Sequence, residues 1–313
     1  MPGLIVRRVL LMLLTGIAVS ALLFFTVTQL LGSPAAMMLG QDASPEAVAA
    51  LNAAYGFDQP AVVQYLHWLG KAFSGDFGHS YTTKESVGAA IAARVPVTLE
   101  LALWSIALAV TGAVVCNTAP VARRLMQPVV IAVNLLGITV PNFMLGVSLI
   151  FVLSVRLSLL PSTGWAPWSE GVGVHLTHMI MPVLTLSAYY FGAFSIVYRA
   201  EYRSVLDREF IRVAHAKGLG KWRVAFRHAA PNAILPVITF VGISLGQLTG
   251  GAIVTETIFS MPGMGRLFVS SIEARDFPVM LAVSMLIVVG VVFMNLLADI
   301  GYEMANPQIR HRS

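Results

Sequence analysis

The chain has 313 residues, 57% hydrophobic and only 11% charged, with a net charge of +5 at pH 7 and a mean hydropathy of +0.78. A soluble domain carries roughly 25% charged residues, and a core of this length could not hide so much apolar chain behind so few charges. Soluble-enzyme and disordered classes are excluded, and an integral membrane protein is expected.

A membrane-spanning helix needs about 20 mostly apolar residues. Six runs qualify: Val9–Leu31, Val97–Asn117, Val129–Leu153, Leu176–Tyr198, Ile234–Thr257 and Val279–Ile300. None carries a central charge, and Glu100, Glu256 and Asp299 lie within a turn of a run's end. The runs are continuous rather than alternating, which argues against a strand barrel. Pro141, Pro182 and Pro236 sit in or beside spans and are expected to kink helices that neighbours then satisfy. Arg7 and Arg8 precede the first run, but 23 apolar residues exceed the 7–15 of a cleaved signal, so an uncleaved first helix is expected. With the N-terminus inside, fourteen of the twenty Lys and Arg residues fall in inside segments. They include Arg123, Arg124, Arg310, Arg312 and eight in 199–233, which predicts both termini in the cytoplasm. The single cysteine, Cys116, lies in an apolar run and excludes an intrachain disulfide.

Between the first two spans, residues 32–96 read as a folded outer cap. Ser44-Pro45-Glu46 supplies an N-cap, a first-turn proline and an early acid for a helix that stops near Gly56. A second helix starts at Pro60, with Val62, Tyr65, Leu66, Leu69 and Phe73 at helical spacing and Trp68 suited to a membrane interface. A third short helix over roughly Ser86–Arg94 leads to Pro96.

The segment 199–233 is densely charged. Two helical pieces flank Gly218-Leu219-Gly220: the first ends at Lys217 with Gly218 in a left-handed position, and the second, from Lys221 to His228, is stopped by Pro231. Phe210, Ala214 and Leu219 stand among charged neighbours, the pattern of a short amphipathic elbow made to dock in a groove, or else of a solvated connector.

This segment resembles the EAA loop of ABC-importer permeases, with Gly218 as the fixed glycine and Ala230-Pro231 in the Leu-Pro place. Arg212-Val213-Ala214 stands where the general pattern has Glu-Ala-Ala, and with Ala216-Lys217-Gly218-Leu219 it is similar to the dipeptide/oligopeptide/nickel branch. Further short matches run in order along the chain: Arg7-Arg8-Val9-Leu10, Gly56-Phe57-Asp58-Gln59-Pro60, Gly75-Asp76-Phe77-Gly78, Pro96-Val97-Thr98-Leu99-Glu100-Leu101, Pro262-Gly263-Met264-Gly265-Arg266, Arg275-Asp276-Phe277-Pro278 and Asn306-Pro307-Gln308-Ile309-Arg310. One departure is Gly32-Ser33-Pro34, where the family commonly has an acid between Gly and Pro.

The resemblance implies an all-α type I permease bundle of six transmembrane helices in the inner membrane. It divides into an N-terminal segment and first helix (1–31), an extracytoplasmic cap (32–96), a permease core (97–300) with its coupling loop at 199–233, and a cytoplasmic tail (301–313). It implies a second permease subunit, two cytoplasmic ATPases that carry ATP and magnesium, and an extracytoplasmic solute-binding protein. Phe210, Arg212, Ala214, His215, Ala216, Lys217, Gly218 and Leu219 would form the contact to an ATPase. The chain itself lacks a phosphate loop, since Trp222 follows Gly220-Lys221 where Ser or Thr is required and position 215 is His. No cofactor is expected on this chain.

The solute expected by resemblance is a short peptide, with nickel or a metal chelate as the alternative. His175 and His178 offer two metal-capable side chains, an incomplete set. Gly242-Ile243-Ser244-Leu245-Gly246 matches the nucleophile-elbow string but lies mid-span, where the strand-turn-helix context fails. Gly242, Gly246 and Gly250 repeat every four residues and suit close helix packing or a pathway wall, with Gln247 beside them as the polar candidate to line it. Glu256 and Arg266 are candidates to pair at an outer gate, with a Glu256 that simply reaches the headgroup region as the equal alternative. A secondary transporter would carry midplane ionisable groups or inverted repeats, and a membrane enzyme would bring acid, base or metal groups together; neither pattern is present in the sequence.

Overall fold

The computed structural model describes residues 2–31, 34–39, 44–119 and 127–305. Gly32-Ser33, Arg123-Arg124 and the tail motif at 306–310 lie outside them. The helices in chain order are α1 (Pro2–Leu31), α2 (Pro34–Leu39), α3 (Pro45–Tyr55), α4 (Ala61–Phe73), α5 (Val87–Thr118), α6 (Gln127–Thr139), α7 (Asn142–Arg156), α8 (Val172–Leu206), α9 (Glu209–Ala216), α10 (Lys221–Ala233), α11 (Leu235–Ile258), α12 (Met264–Glu273) and α13 (Phe277–Ala305). Among the described residues there is no strand, only an isolated bridge between His79 and Ser86.

Four helices, α1, α5, α8 and α13, are long and apolar enough to cross a membrane. Two bent pairs, α6 with α7 and α10 with α11, raise the number to six if each is one span. The third apolar run is therefore not one straight helix. It turns by 114° at Val140-Pro141, because Pro141 lacks a donor and pushes its predecessor out of helical geometry. α6 has 13 residues, roughly 20 Å at 1.5 Å per residue, short of the roughly 30 Å hydrocarbon core. Pro182 lies inside an unbroken α8, and Pro236 sits in the first turn of α11, next to the 50° bend.

The chain divides into two compact units. The first holds residues 1–98 and 262–293. In its cap, Ser44 accepts a hydrogen bond from the Ala47 amide at 3.2 Å, and Gly56 closes α3 at φ +71°, as the capping signals predict. The apolar positions of α4 split over two faces. Tyr65, Trp68 and Leu69 pack with Phe24 of α1 and with Phe277 and Leu281 of α13, whereas Val62, Leu66 and Phe73 stay exposed. The Phe24 ring lies 5.5 Å from Tyr65 and 5.9 Å from Phe277, both edge-to-face. The third cap helix and the second span are a single helix, α5, which runs through Pro96; one lost backbone bond does not end a helix of 32 residues. The buried Asp276 carboxylate accepts from the Ser80 hydroxyl and, at 3.1 Å, from the Tyr81 amide, tying the cap turn to the start of α13.

The second unit holds residues 99–261 and 294–313. α8 is its axis, packed against α6, α7 and α11. Small residues set the closest crossing: a Cβ added at Gly192 would lie 2.6 Å from the Asn134 carbonyl oxygen, and one at Gly137 would strike the Ala188 carbonyl. Backbones can approach this far only where side chains are absent. Near the other end of α8, the hydroxyls of Tyr198 and Thr118 meet at 2.5 Å.

Candidate functional site

α8 carries a built structure at each end. At its C-terminal end Asp207 caps the helix, and Arg208 adopts extended backbone (φ −72°, ψ 149°) that redirects the chain into α9. Ile211 and Ala214 of α9 are buried, as are Val224, Ala225 and Ala229 of α10, and the two helices touch. That apolar contact fixes the elbow's shape. Gly218 then takes φ +75°, with its amide bonded to the His215 carbonyl at 2.9 Å. Nothing lies within 4 Å of a Cβ added at Gly218, so its backbone angle, not space, calls for glycine.

The exposed side of the elbow is mixed. Phe210 and Val213 present apolar surface one turn apart, with Arg212, His215, Ala216 and Lys217 exposed around them and Leu219 half-buried. On α10 the Trp222 and Phe226 rings stack at 5.5 Å, and Trp222 is 54% exposed. Of the eight predicted contact residues, Ala214 is turned inward and holds the elbow together rather than offering a surface.

Pro231 does not stop the second piece. α10 passes through a wide π turn at Val224–Ala229 and continues to Ala233. The extra residue in that turn shifts the hydrogen-bond register, so that Pro231 falls in the first turn of the following segment, where no amide is needed.

At its N-terminal end α8 is tied by polar contacts. His175 is fully buried: its Nε2 lies 3.0 Å from Glu100 Oε1 and its Nδ1 2.7 Å from the Ala166 carbonyl oxygen. Trp168 stacks on the imidazole at 3.9 Å and donates its indole N–H to the same Glu100 oxygen at 3.0 Å. Trp165 meets the ring edge-on at 4.9 Å. Further along the connection, the Gly164 amide donates to the Phe259 carbonyl at 2.8 Å. The sequence marks both Glu100 and His175 as ionisable groups at span ends, each in need of a partner, but their spacing of 75 residues hides the pairing. His178 bonds the Val174 carbonyl with its Nδ1 at 3.0 Å. No cluster of three metal-capable His, Cys, Asp or Glu side chains exists among the described residues.

Along α11, Gly246 is buried, Gln247 exposed and Glu256 fully buried in the last turn. Arg266, on α12, is exposed. Of the spacing-four glycines, Gly250 has nothing within 4 Å of an added Cβ, whereas Gly137 and Gly192 of the α6–α8 crossing lie against backbone carbonyls.

Residues 105–311 match the family described as the binding-protein-dependent transport system inner membrane component, and residues 1–102 match its companion N-terminal family. A putative peptide transport system permease protein of Brucella abortus (strain 2308) is 35% identical over 313 residues, covering 99% of this chain and all of that protein. The glutathione transport system permease protein of Escherichia coli (strain K12) is 36% identical over 312 residues, covering 98% of this chain and 99% of the relative. With the broken third run, the central α8 and the elbow beyond it, these matches make the chain a multi-pass membrane protein that belongs to the ABC-importer permeases of the peptide/oligopeptide family.

Proposed function

We propose that this chain forms part of the membrane pathway of an ATP-driven importer of short peptides, and that its elbow is the part gripped by an ATPase subunit. The observation that carries the reading is the elbow itself: a buried apolar underside, a left-handed backbone angle that favours glycine, and exposed Phe210 and Val213 ringed by Arg212, His215 and Lys217. Exposed aromatic and aliphatic side chains within a charged rim are the composition of a protein-binding patch. Phe210, Arg212, Val213 and Lys217 would touch the ATPase, while Ala214 and Gly218 set the angle at which they are presented. ATP, with its magnesium, would act on two such partner ATPases and favour one conformer of the permease over the other, since equal affinity for both shifts nothing.

A second permease subunit and an extracytoplasmic binding protein complete the proposed assembly, set in the inner membrane with both termini on the cytoplasmic side. Gln247 and Gly246 would line the path, with Glu256 and Arg266 guarding its outer end. Relatives named for peptide and glutathione transport support short peptides as the solute; nickel or a metal chelate has no comparable support.

The test is transport in vesicles carrying all subunits. Uptake of labelled di- or tripeptide should require internal ATP and the external binding protein, and Phe210→Glu should abolish it while the chain still inserts. Uptake driven by an ion gradient without the ATPases would reject the proposal.

A further inference from the structure

The cap contains an open cavity of about 730 Å³ lined by none of the residues proposed above for the pathway or the elbow, within the 300–1,000 Å³ typical of small-molecule sites. Its walls are chemically divided. Phe24 of α1, Phe277 of α13 and Trp68 of α4 give an apolar floor, while Lys71, Lys84 and His67 line it as well. Gln64, His67, Trp68 and Lys71 recur at helical spacing and form one stripe of α4 that faces the cavity. Among the described residues, neither Lys71 nor Lys84 has a carboxylate within 4.0 Å. The one acid in the lining, Asp76, accepts a hydrogen bond from the Gly78 amide at 2.9 Å. The site thus has a cationic side and a floor of aromatic rings.

Position in the membrane selects the ligand. Phe24 lies within the apolar run of α1, and Phe277 opens α13. The exposed Val62, Leu66 and Phe73 give α4 a second apolar face, as in a helix lying in the plane of the interface. A molecule in this cavity meets the rings of Phe24, Trp68 and Phe277 and the ammonium groups of Lys71 and Lys84. We infer that the cavity binds the headgroup of an anionic phospholipid, its phosphate on Lys71 and Lys84 and its first methylenes over Phe24, Trp68 and Phe277. Basic groups at a membrane surface recognise anionic lipids in this way.

Trp68 is the reporter. The intact transporter is placed in phosphatidylcholine nanodiscs containing a minor fraction of brominated phosphatidylglycerol, and the Trp68 contribution is isolated by difference against Trp68→Phe. Brominated phosphatidylglycerol should quench Trp68 more strongly than brominated phosphatidylcholine at equal fraction. Lys71→Gln with Lys84→Gln should weaken the preference roughly five-fold per lysine, and native mass spectrometry should show the double variant losing a retained lipid. Arg94→Gln, a cap cation outside the cavity, should change neither readout. Equal quenching by both lipids, or an equal loss with Arg94→Gln, overturns the site. Displacement of the brominated lipid by soluble peptide, but not by added phosphatidylglycerol, also overturns it, since the cavity would then hold solute. The inference concerns the lipid and stands whichever solute is carried.

Discussion

The two ends of α8 are built on opposite principles. Its N-terminal end is closed on itself: His175 is fully buried, both ring nitrogens lie within hydrogen-bond distance of oxygens, and Trp168 and Trp165 pack around the ring. Its other end is held by apolar burial of Ile211, Ala214, Val224 and Ala225, and it leaves Phe210, Val213 and Trp222 exposed with Arg212, Lys217, Lys221, Arg223 and Arg227. A network with all its groups satisfied within the chain is a structural fastening. A rigid shape with unspent apolar surface is an arrangement awaiting a partner. One helix carries a fastening at one end and the proposed coupling at the other, and substitutions should separate them.

The largest stability loss is expected at the fastening. His175→Ala removes the ring that joins Glu100, Ala166 and two tryptophans, and it leaves the Glu100 carboxylate with only the Trp168 indole. Deleting one partner of a buried polar contact costs about 1–3 kcal/mol, and the lost ring packing against two tryptophans adds about 1 kcal/mol each. The thermal midpoint of the purified transporter should fall accordingly, while the proposed ATPase contact of the elbow, measured by co-purification, survives. A His175→Ala protein as stable as the wild type would mean that the N-terminal end of α8 is no fastening.

Next comes the crossing that holds α8 against α6. Gly192→Ala places a methyl 2.6 Å from the Asn134 carbonyl oxygen, and backbone, unlike a side-chain tip, cannot swing aside. Overpacking of this kind costs about 2 kcal/mol, and Gly137→Ala should behave alike. Gly250→Ala, with nothing within 4 Å, should be tolerated or slightly stabilising. Thermal midpoints of the three variants check the ranking.

This contrast marks what could be read from the chain alone. The spans, the α3 cap and the Gly218 turn follow from local signals, that is apolar run length, an N-cap serine and a C-terminal glycine, and the structure shows each of them. Glycine spacing drew attention to α11 and gave no sign of the close approach at Gly137 and Gly192, because such an approach depends on which helix lies opposite, and that is a tertiary fact. The Glu100–His175 contact and the Asp276–Ser80 contact are likewise long-range pairings with no local trace. Pro141 and Pro231 show the same limit from the other side: one breaks its run by 114° and the other is absorbed by a π turn, although both lack the same amide.

At the elbow the expected stability effect is smaller and the functional one larger. Gly218→Ala forces a Cβ into left-handed backbone at φ +75°, costing about 1 kcal/mol, whereas Gly218→Val costs more because branching crowds that region further. Neither meets a neighbour, so insertion and thermal midpoint should stay near wild type. Peptide uptake should drop while ATP hydrolysis continues, more for Val than for Ala. Loss of uptake together with unfolding would place Gly218 with the fastening instead.

The smallest effect separates two accounts of how the elbow keeps its shape. Arg208 and Glu201 approach to 3.8 Å across the α8–α9 junction, with side chains 58% and 32% exposed. If charge held the bend, Glu201→Gln should loosen it, and high salt should do the same. An exposed ion pair at this distance contributes under about 0.5 kcal/mol after screening and side-chain entropy, whereas Ile211 and Ala214 are buried to within 5% exposure and draw on the much larger apolar term. Glu201→Gln should therefore leave both uptake and thermal midpoint unchanged at low and high salt, and Ile211→Ala should lower uptake at either. The opposite pattern would mean that the elbow end of α8, like its N-terminal end, is secured by its polar groups.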